Sequence, residues 1–371
     1  MARSFFRRAT KTLVVILNLT IVVLFLLACL SPFLNTAKWW MIGFTGLIVP
    51  YLIVGLIFFI IFWLIVKPRM ALVSIATLLI GLQQVNVVFA WRPGPAVNER
   101  KPEGLLRVVS WNIQSFNGFT KNKEARKMAR TELVASILKF EPDVVCLQEF
   151  NHKEGNNPES DNLSLFKKNY PYHHFSKDYI RGGGEYQSGC IIFSKYPITN
   201  TGKVKYPVAE SLIYADLVKG NDTIRVFNTH LQSFKFKEAD YSDLEKIKDQ
   251  DDEGLRASKN IVRKMRLAFK RRGVQAGIVR DELNKSPYPS LICGDFNDVP
   301  NSYTYVHIKQ NWQDAFLKKG FGIGRSFIAL APTLRIDYIL ADPSFQVKLF
   351  DMVDEGLSDH IMLVSDLQLK K

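Results

Sequence analysis

The stretch "LICGDFNDVPNS", Leu291 to Ser302, breaks from an apolar run into Gly, Asp, Phe, Asn, Asp and Pro. Such residues build turns. Carboxylates at the carboxyl ends of strands are also where α/β proteins keep their chemistry. Five further apolar runs carry polar residues of matching type. "VVSWNIQSF" ends near Asn112, "DVVCLQEF" at Glu149 and "VFNTHLQS" at His230, while "LRIDYIL" carries Asp337 and "GLSDHIML" carries Asp359 beside His360. Together with Asp295 and Asn297 they include two of only six histidines in the chain. Any one of them alone reads as a surface or structurally satisfied residue. Six such strands in one chain read as a site. Hard oxygen donors suit Mg2+ or Mn2+. Imidazoles can hold a proton or stabilise developing charge, and a carboxylate can align and deprotonate water. These are the parts for hydrolysing a phosphate ester. No Walker loop, GxSxG elbow or HExxH helix competes with that reading. "RGGGEYQSG", Arg181 to Gly189, lacks dinucleotide-loop spacing and reads as a loop.

Holding such groups together requires strands, and from about Lys101 onward the sequence supplies them. "LLRVVSWNI", "PDVVCLQEF", "SGCIIFS", "LIYADLV", "TIRVFNTHL", "SLICGDF", "RIDYILA" and "IMLVSDLQL" are short β-rich runs, many apolar on both faces. That pattern belongs to a sheet covered on both sides. Between the first two, Lys123 to Phe140 places Ala125, Met128, Ala129, Leu133, Ile137 and Leu138 at helical spacing. Cys146, Cys190 and Cys293 lie inside strand-like runs with no CxxC or Cys/His cluster, so they read as small buried hydrophobes rather than zinc ligands.

The first hundred residues differ. Three apolar stretches, about 13–30, 41–66 and 71–90, each approach the ~20 residues that cross a bilayer as a helix. The sequence therefore divides into a membrane anchor over 1–92 with three transmembrane helices, a Pro- and Gly-bearing linker over 93–104, and a soluble domain over 105–371. Arg3, Arg7, Arg8, Lys11, Lys67 and Arg69 flank one side, against Lys38, Arg92 and Arg100 on the other. This six-to-three bias puts the N-terminus in the cytoplasm and the soluble domain outside it, at the cell membrane. "LLACLS" around Cys29 is similar to a lipoprotein cleavage box, but bulky Leu27 and the two later spans favour an uncleaved anchor. Nine of the 49 basic and one of the 35 acidic residues lie in the first hundred, leaving about +6 for the rest. This is not a strongly nucleic-acid-like charge. One basic run, Arg256 to Arg272, carries eight cations and no acid. It reads as a solvated helix outside the sandwich or as a surface for anionic lipid or nucleic acid.

The ordered set "SWNIQSF", "DVVCLQE", "SGCIIFSKYPI", "NTHLQ", "GDFND", "RIDYIL" and "SDH" resembles the endonuclease/exonuclease/phosphatase superfamily, the DNase I-like fold, over about Leu106 to Leu369. The resemblance implies a four-layer α/β sandwich, two packed β-sheets flanked by helices. It also assigns roles. Glu149 is the principal metal ligand, with Asn112 helping to bind metal or phosphate and Asp359 beside the metal. His230 contacts the scissile phosphate. Asp295 aligns or deprotonates water, and Asn297 orients water and phosphate. His360 stabilises the transition state or transfers a proton, its tautomer fixed by Asp337. Met362 departs from the family pattern, which usually has Pro two residues after the last histidine.

The superfamily does not name a substrate. The histidine of "NTHLQ" is similar to the DNase, sphingomyelinase and lipid-phosphatase branches. "SGCIIFSKYPI" looks like the lipid and phosphodiesterase relatives, including a group related to glycosylphosphatidylinositol remodelling. Membrane tethering raises the effective concentration of headgroups. The expectation is therefore a Mg2+- or Mn2+-dependent phosphodiesterase or phosphatase acting on lipid headgroups, with no protein partner. An extracytoplasmic nuclease of DNA or RNA is the alternative enzyme, and an inactive binding module the reading outside catalysis. The charged segment 234–253 has no assigned role.

Overall fold

The computed structural model describes residues 2–118, 122–155, 160–236 and 252–370. The two longest apolar runs form α1 (Ala2–Ala28) and α2 (Ile42–Val66), both long and apolar enough to cross a membrane. The third expected span is broken. Residues 71–90 contribute to α3 (Pro68–Ile80) and α4 (Leu82–Val88), which meet at a 65° bend. The break sits at Gly81, where a side chain's Cβ would lie 2.2 Å from the Phe25 ring of α1. Past it, α4 carries Gln83, Gln84 and Asn86 and runs toward the C-terminal domain, where its Val87 carbonyl meets Arg335. The structure thus has two membrane-length helices, or three if the bent pair is one span.

Among the described residues, thirteen strands build the two sheets of the C-terminal domain. They are β1 (Leu106–Asn112), β2 (Val144–Lys153), β3 (Tyr172–Phe175), β4 (Tyr179–Arg181), β5 (Tyr186–Ser194), β6 (Ile198–Lys205) and β7 (Ser211–Lys219), then β8 (Asp222–His230), β9 (Ser290–Asp295), β10 (Gln313–Asp314), β11 (Asp337–Ala341), β12 (Phe345–Val353) and β13 (Met362–Leu369). One sheet runs β12-β13-β1-β2-β5-β3, with β4 also on β5; the other runs β10-β11-β9-β8-β7-β6. All eight expected runs are strands; the edge strands β3, β6 and β12 were not anticipated, because their exposed positions break the apolar pattern.

Alternation along the strands divides the core. Val108, Cys146, Ile192, Val226 and Cys293 point between the sheets. Val109, Trp111, Val145 and Leu147 point outward onto Leu133, Val134 and Ile137 of α5 (Lys123–Lys139). On the opposite outer face, Phe227, Ile292 and Leu340 meet Ala276, Val279 and Leu283 of α6 (Asp252–Asn284). Helix, sheet, sheet, helix is the four-layer order. Two details differ from the sequence reading. Met128 is 64% exposed, and Val134 takes the buried position. The basic run is not wholly solvated either: Arg272 on α6 is completely buried, and its guanidinium donates to Asp298 Oδ2 and to the Gln232 carbonyl.

The N-terminal apolar helices and the turn between them pack directly on this domain. Asn301 Nδ2 donates to the Ala28 carbonyl at 3.0 Å, Thr36 Oγ1 to the Phe269 carbonyl, and Arg335 Nη2 to the Val87 carbonyl. Phe44 stacks edge-on against Phe269. Gly43 and Gly273 permit this approach, since a Cβ at either would come within 2.6 Å of the facing element. The segment 93–104 follows the domain surface, pinned where Val97 N–H donates to Asp351 and where Asn98 and Glu99 carbonyls accept from Arg107.

Candidate active site

The strand order brings the polar strand ends to one edge. β8 and β9 are parallel, and the register sets His230 beside Asp295; antiparallel β11 starts at that edge, with Asp337 opposite Asp295. In the other sheet β1 and β2 are parallel, and their pairing ends at Asn112 opposite Gln148, with Glu149 next along β2. β13 runs antiparallel to β1, so the turn before it, with Asp359 and His360, arrives at the same place.

Local distortions aim the side chains. A break in the β2–β5 register between Leu147 and Phe150 places Glu149 at φ 52°, the left-handed region. A bulge with strained backbone is a common way to redirect a functional side chain. Asn297 also has φ 52°, which Asn tolerates; its N–H donates to Asp295 Oδ1 at 2.8 Å and its Nδ2 to the Leu231 carbonyl at 2.9 Å. The turn thereby ties Asp295 and Asn297 to the end of β8.

All eight expected residues converge. His360 Nδ1 lies 2.9 Å from Asp337 Oδ2, and its Nε2 faces Asp295 Oδ2 at 3.7 Å and Asp359 Oδ1 at 4.0 Å. His230 Nε2 lies 3.5 Å from Asp295 Oδ2 and 3.9 Å from Glu149 Oε1. Asn112 Nδ2 donates to Asp295 Oδ2 at 3.1 Å and to Glu149 Oε1 at 3.3 Å. Three more residues belong to the constellation. Gln114 Nε2 donates to Asp359 Oδ2, Glu210 Oε1 stands 3.7 Å from His230 Nδ1, and Ser326 Oγ accepts the Asp337 N–H. Gln114 lies within the strand-end motif and was legible in it. Glu210 and Ser326 lie in segments without a strand-end pattern, and only the fold brings them in.

The electrostatics follow from burial and close carboxylates. Burial works against charge on His360, but Asp337 and Asp295 outweigh it and hold the imidazole up at about 10. Burial, then Asp337, raises the Asp295 carboxyl to about 6. Burial opposes charge on His230 as well, and Glu210, Asp295 and Glu149 reverse this and raise it. Burial also raises Asp359 and Glu210.

The donor set fits a hard divalent cation. Glu149, Asp295, Asp337 and Asp359 crowd two imidazoles, an excess of negative charge that a cation would relieve. The Gln114 Oε1 acceptor is also buried without a partner. Among the described residues, Asp295, Asp337 and His360 hold ligand atoms within 4.8 Å of one another. Because His360 Nδ1 is already engaged by Asp337, that trio is better suited to proton handling. Glu149, Asp359 and the amides of Asn112 and Gln114 form the oxygen-rich side on which a metal would be held. The cavity over these groups measures about 350 Å3, within the range of small-molecule sites.

Comparison with known proteins identifies the family of the chain. The model of the endonuclease/exonuclease/phosphatase family matches residues 109–360, and a second model, for a domain of unknown function, matches residues 11–88. No curated protein matches. Solved structures that resemble the chain include an endonuclease/exonuclease/phosphatase from Beutenbergia cavernae (20% identity, 72% of each chain covered, TM-score 0.47). Another is truncated TDP2 from Caenorhabditis elegans (15% identity, 71% of this chain and 98% of that one, TM-score 0.49). A third is sphingomyelinase C from Streptomyces griseocarneus (19% identity, 72% and 99%, TM-score 0.44). With most of its length matched by the family model, the chain belongs to the endonuclease/exonuclease/phosphatase family, whose members are phosphoric ester hydrolases.

Proposed function

We propose that the protein is a membrane-anchored, divalent-metal-dependent hydrolase of phosphate esters, with lipid headgroups as its substrates and its catalytic domain extracytoplasmic. The observation that carries the hydrolase reading is the meeting of Glu149, His230, Asp295, Asn297, Asp359 and His360 around one cavity. Asp295 receives a proton from water, held in place by the Asn297 N–H. His230 and Asn297 orient the phosphate. His360, its tautomer set by Asp337, stabilises charge on the phosphoryl oxygens or protonates the leaving alkoxide. Glu149, Asn112 and Asp359 would hold Mg2+ or Mn2+, which when bound would neutralise phosphate charge. No side chain becomes covalently attached to phosphorus.

The orientation rests on charge and packing. The domain docks at the end of the anchor formed by Ala28, Thr36 and Phe44, opposite the basic N-terminal flank. The positive-inside bias then makes that face extracytoplasmic. The anchor, counted as three spans, includes α3 and α4 as one bent crossing.

The full-length protein, assayed with a soluble phosphodiester in Mg2+ and in chelator, tests the chemistry. Activity should need the metal and fall at least about a hundredfold in Asp295→Asn, the scale of one general base. Hydrolysis indifferent to both would sink the mechanism. A reporter fused after Lys371 should be active only outside the cytoplasm.

A further inference from the structure

We infer that the anchor is one wall of the active site, and that the substrate is a phosphodiester lipid whose apolar part lies against that wall. This rests on the phosphate-ester reading and deepens it. The cavity has two chemical halves. Its floor holds the carboxylates and imidazoles; its rim is Leu47, Phe234, Phe236, Leu330 and Leu334, side chains that hydrolysis itself does not use. Leu47 belongs to α2, the membrane helix. Its neighbour Ile48 is 38% exposed, and Tyr51, Val54 and Phe58 further along the helix are more so. An apolar surface therefore continues from the bilayer-facing side of α2 to the cavity.

An aromatic row reinforces the connection. Ring centroids lie 5.2 Å apart for Phe44 and Phe269, 5.6 Å for Phe269 and Phe234, and 5.3 Å for Phe234 and Phe236. The row leads from the first turn of α2 to the rim. Helix length agrees with this placement. The 25 residues of α2 rise about 37 Å, and a bilayer's hydrocarbon core is about 30 Å thick. About one turn can stand above that core, which puts Leu47 near its boundary and the cavity at headgroup level.

Nucleic acid suits this mouth poorly. Single strands follow cationic grooves, whereas Lys235 is the one Lys or Arg among the described residues lining the cavity. A lipid phosphate with its chains still in the bilayer satisfies both halves. In the reaction the oxygen of water bonds to phosphorus as one P–O ester bond breaks. The proton from water passes to Asp295, and the leaving alkoxide takes a proton from His360, giving an alcohol and a phosphomonoester.

The test uses the full-length protein in nanodiscs of phosphatidylcholine, phosphatidylethanolamine, phosphatidylglycerol and phosphatidylinositol with Mg2+. Separate arms contain bis(p-nitrophenyl) phosphate and plasmid DNA. Leu47→Ala and Leu330→Ser should each lower the ratio of lipid to soluble-ester hydrolysis about tenfold, the effect of losing one apolar contact. Leu47→Ile should keep that ratio near the original. Because the ratio is internal to each preparation, partial misfolding does not imitate the effect. Soluble-ester hydrolysis with an unmoved ratio, or DNA cleavage without lipid products, would overturn this inference alone. No hydrolysis in any arm would overturn the hydrolase reading and this inference with it.

Discussion

His360 shows how individual side chains acquire function here. The residue is held at three points: Asp337 Oδ2 accepts at Nδ1, Phe327 packs on the ring at 4.9 Å, and Trp111 Nε1 donates to the backbone carbonyl. Asp337 is itself fixed by the hydroxyl of Ser326 through its backbone N–H. Asp337→Asn keeps the shape but removes the carboxylate that selects the tautomer and favours the imidazolium. We expect kcat to fall about a hundredfold or more, with KM changed much less and the circular dichroism spectrum unchanged. A change confined to KM would mean that Asp337 shapes binding instead. Glu210 has a comparable relation to His230 on the other side of Asp295, and burial of its unpartnered Oε2 makes it a further group to substitute.

At the scale of elements, the close pairing of β8 and β9 decides where Asp295 lies. Gly294 faces Thr229 across this parallel pair, and a Cβ there would come within 2.2 Å of the Thr229 carbonyl oxygen. Backbone cannot yield as a side chain can. Gly294→Ala should therefore cost about 3 kcal/mol of stability, read by denaturant unfolding, and should also disturb Asp295 and His230. An alanine variant as stable as the original would show that the strands can move apart freely. The glycine of "GDFND" is thus required by the spacing of strands as much as by the turn. Arg272 acts at the same scale. Its guanidinium joins α6 to Asp298 of that turn and to the Gln232 carbonyl after β8, and Phe234 lies 4.7 Å from it. In sequence it was one cation among eight.

The whole molecule joins an acidic sheet edge to a group of apolar N-terminal helices. Crowding the four carboxylates at that edge disfavours the metal-free state, and cation binding should offset it. A metal that binds only the folded protein stabilises it by about 2.7 kcal/mol at a hundredfold excess over its dissociation constant. Mg2+ or Mn2+ should accordingly raise the unfolding midpoint of the chelated protein, and Glu149→Gln should weaken that rise. An identical midpoint with and without either ion would argue against a resident metal. The same whole-molecule view explains the third apolar stretch. Its hydropathy fits a span, but its second half turns at Gly81 to place the Val87 carbonyl on Arg335. The Arg335 contact holds that half against the folded domain.

By itself the sequence disclosed the sheet-forming runs, the apolar N-terminal stretches and eight polar residues, carboxylates, amides and imidazoles. Periodicity and residue chemistry are local properties and survive in a linear reading. The charged segment remains open, since 237–251 lie outside the described residues. Tertiary structure decided which strands are neighbours and in what register, and so which carboxylate faces which imidazole. It also brought Glu210, Ser326 and Arg272 to the site and set Leu47 on its rim. Those relations join positions far apart in the chain, and they arise only when burial of both faces of each sheet fixes the packing of the layers.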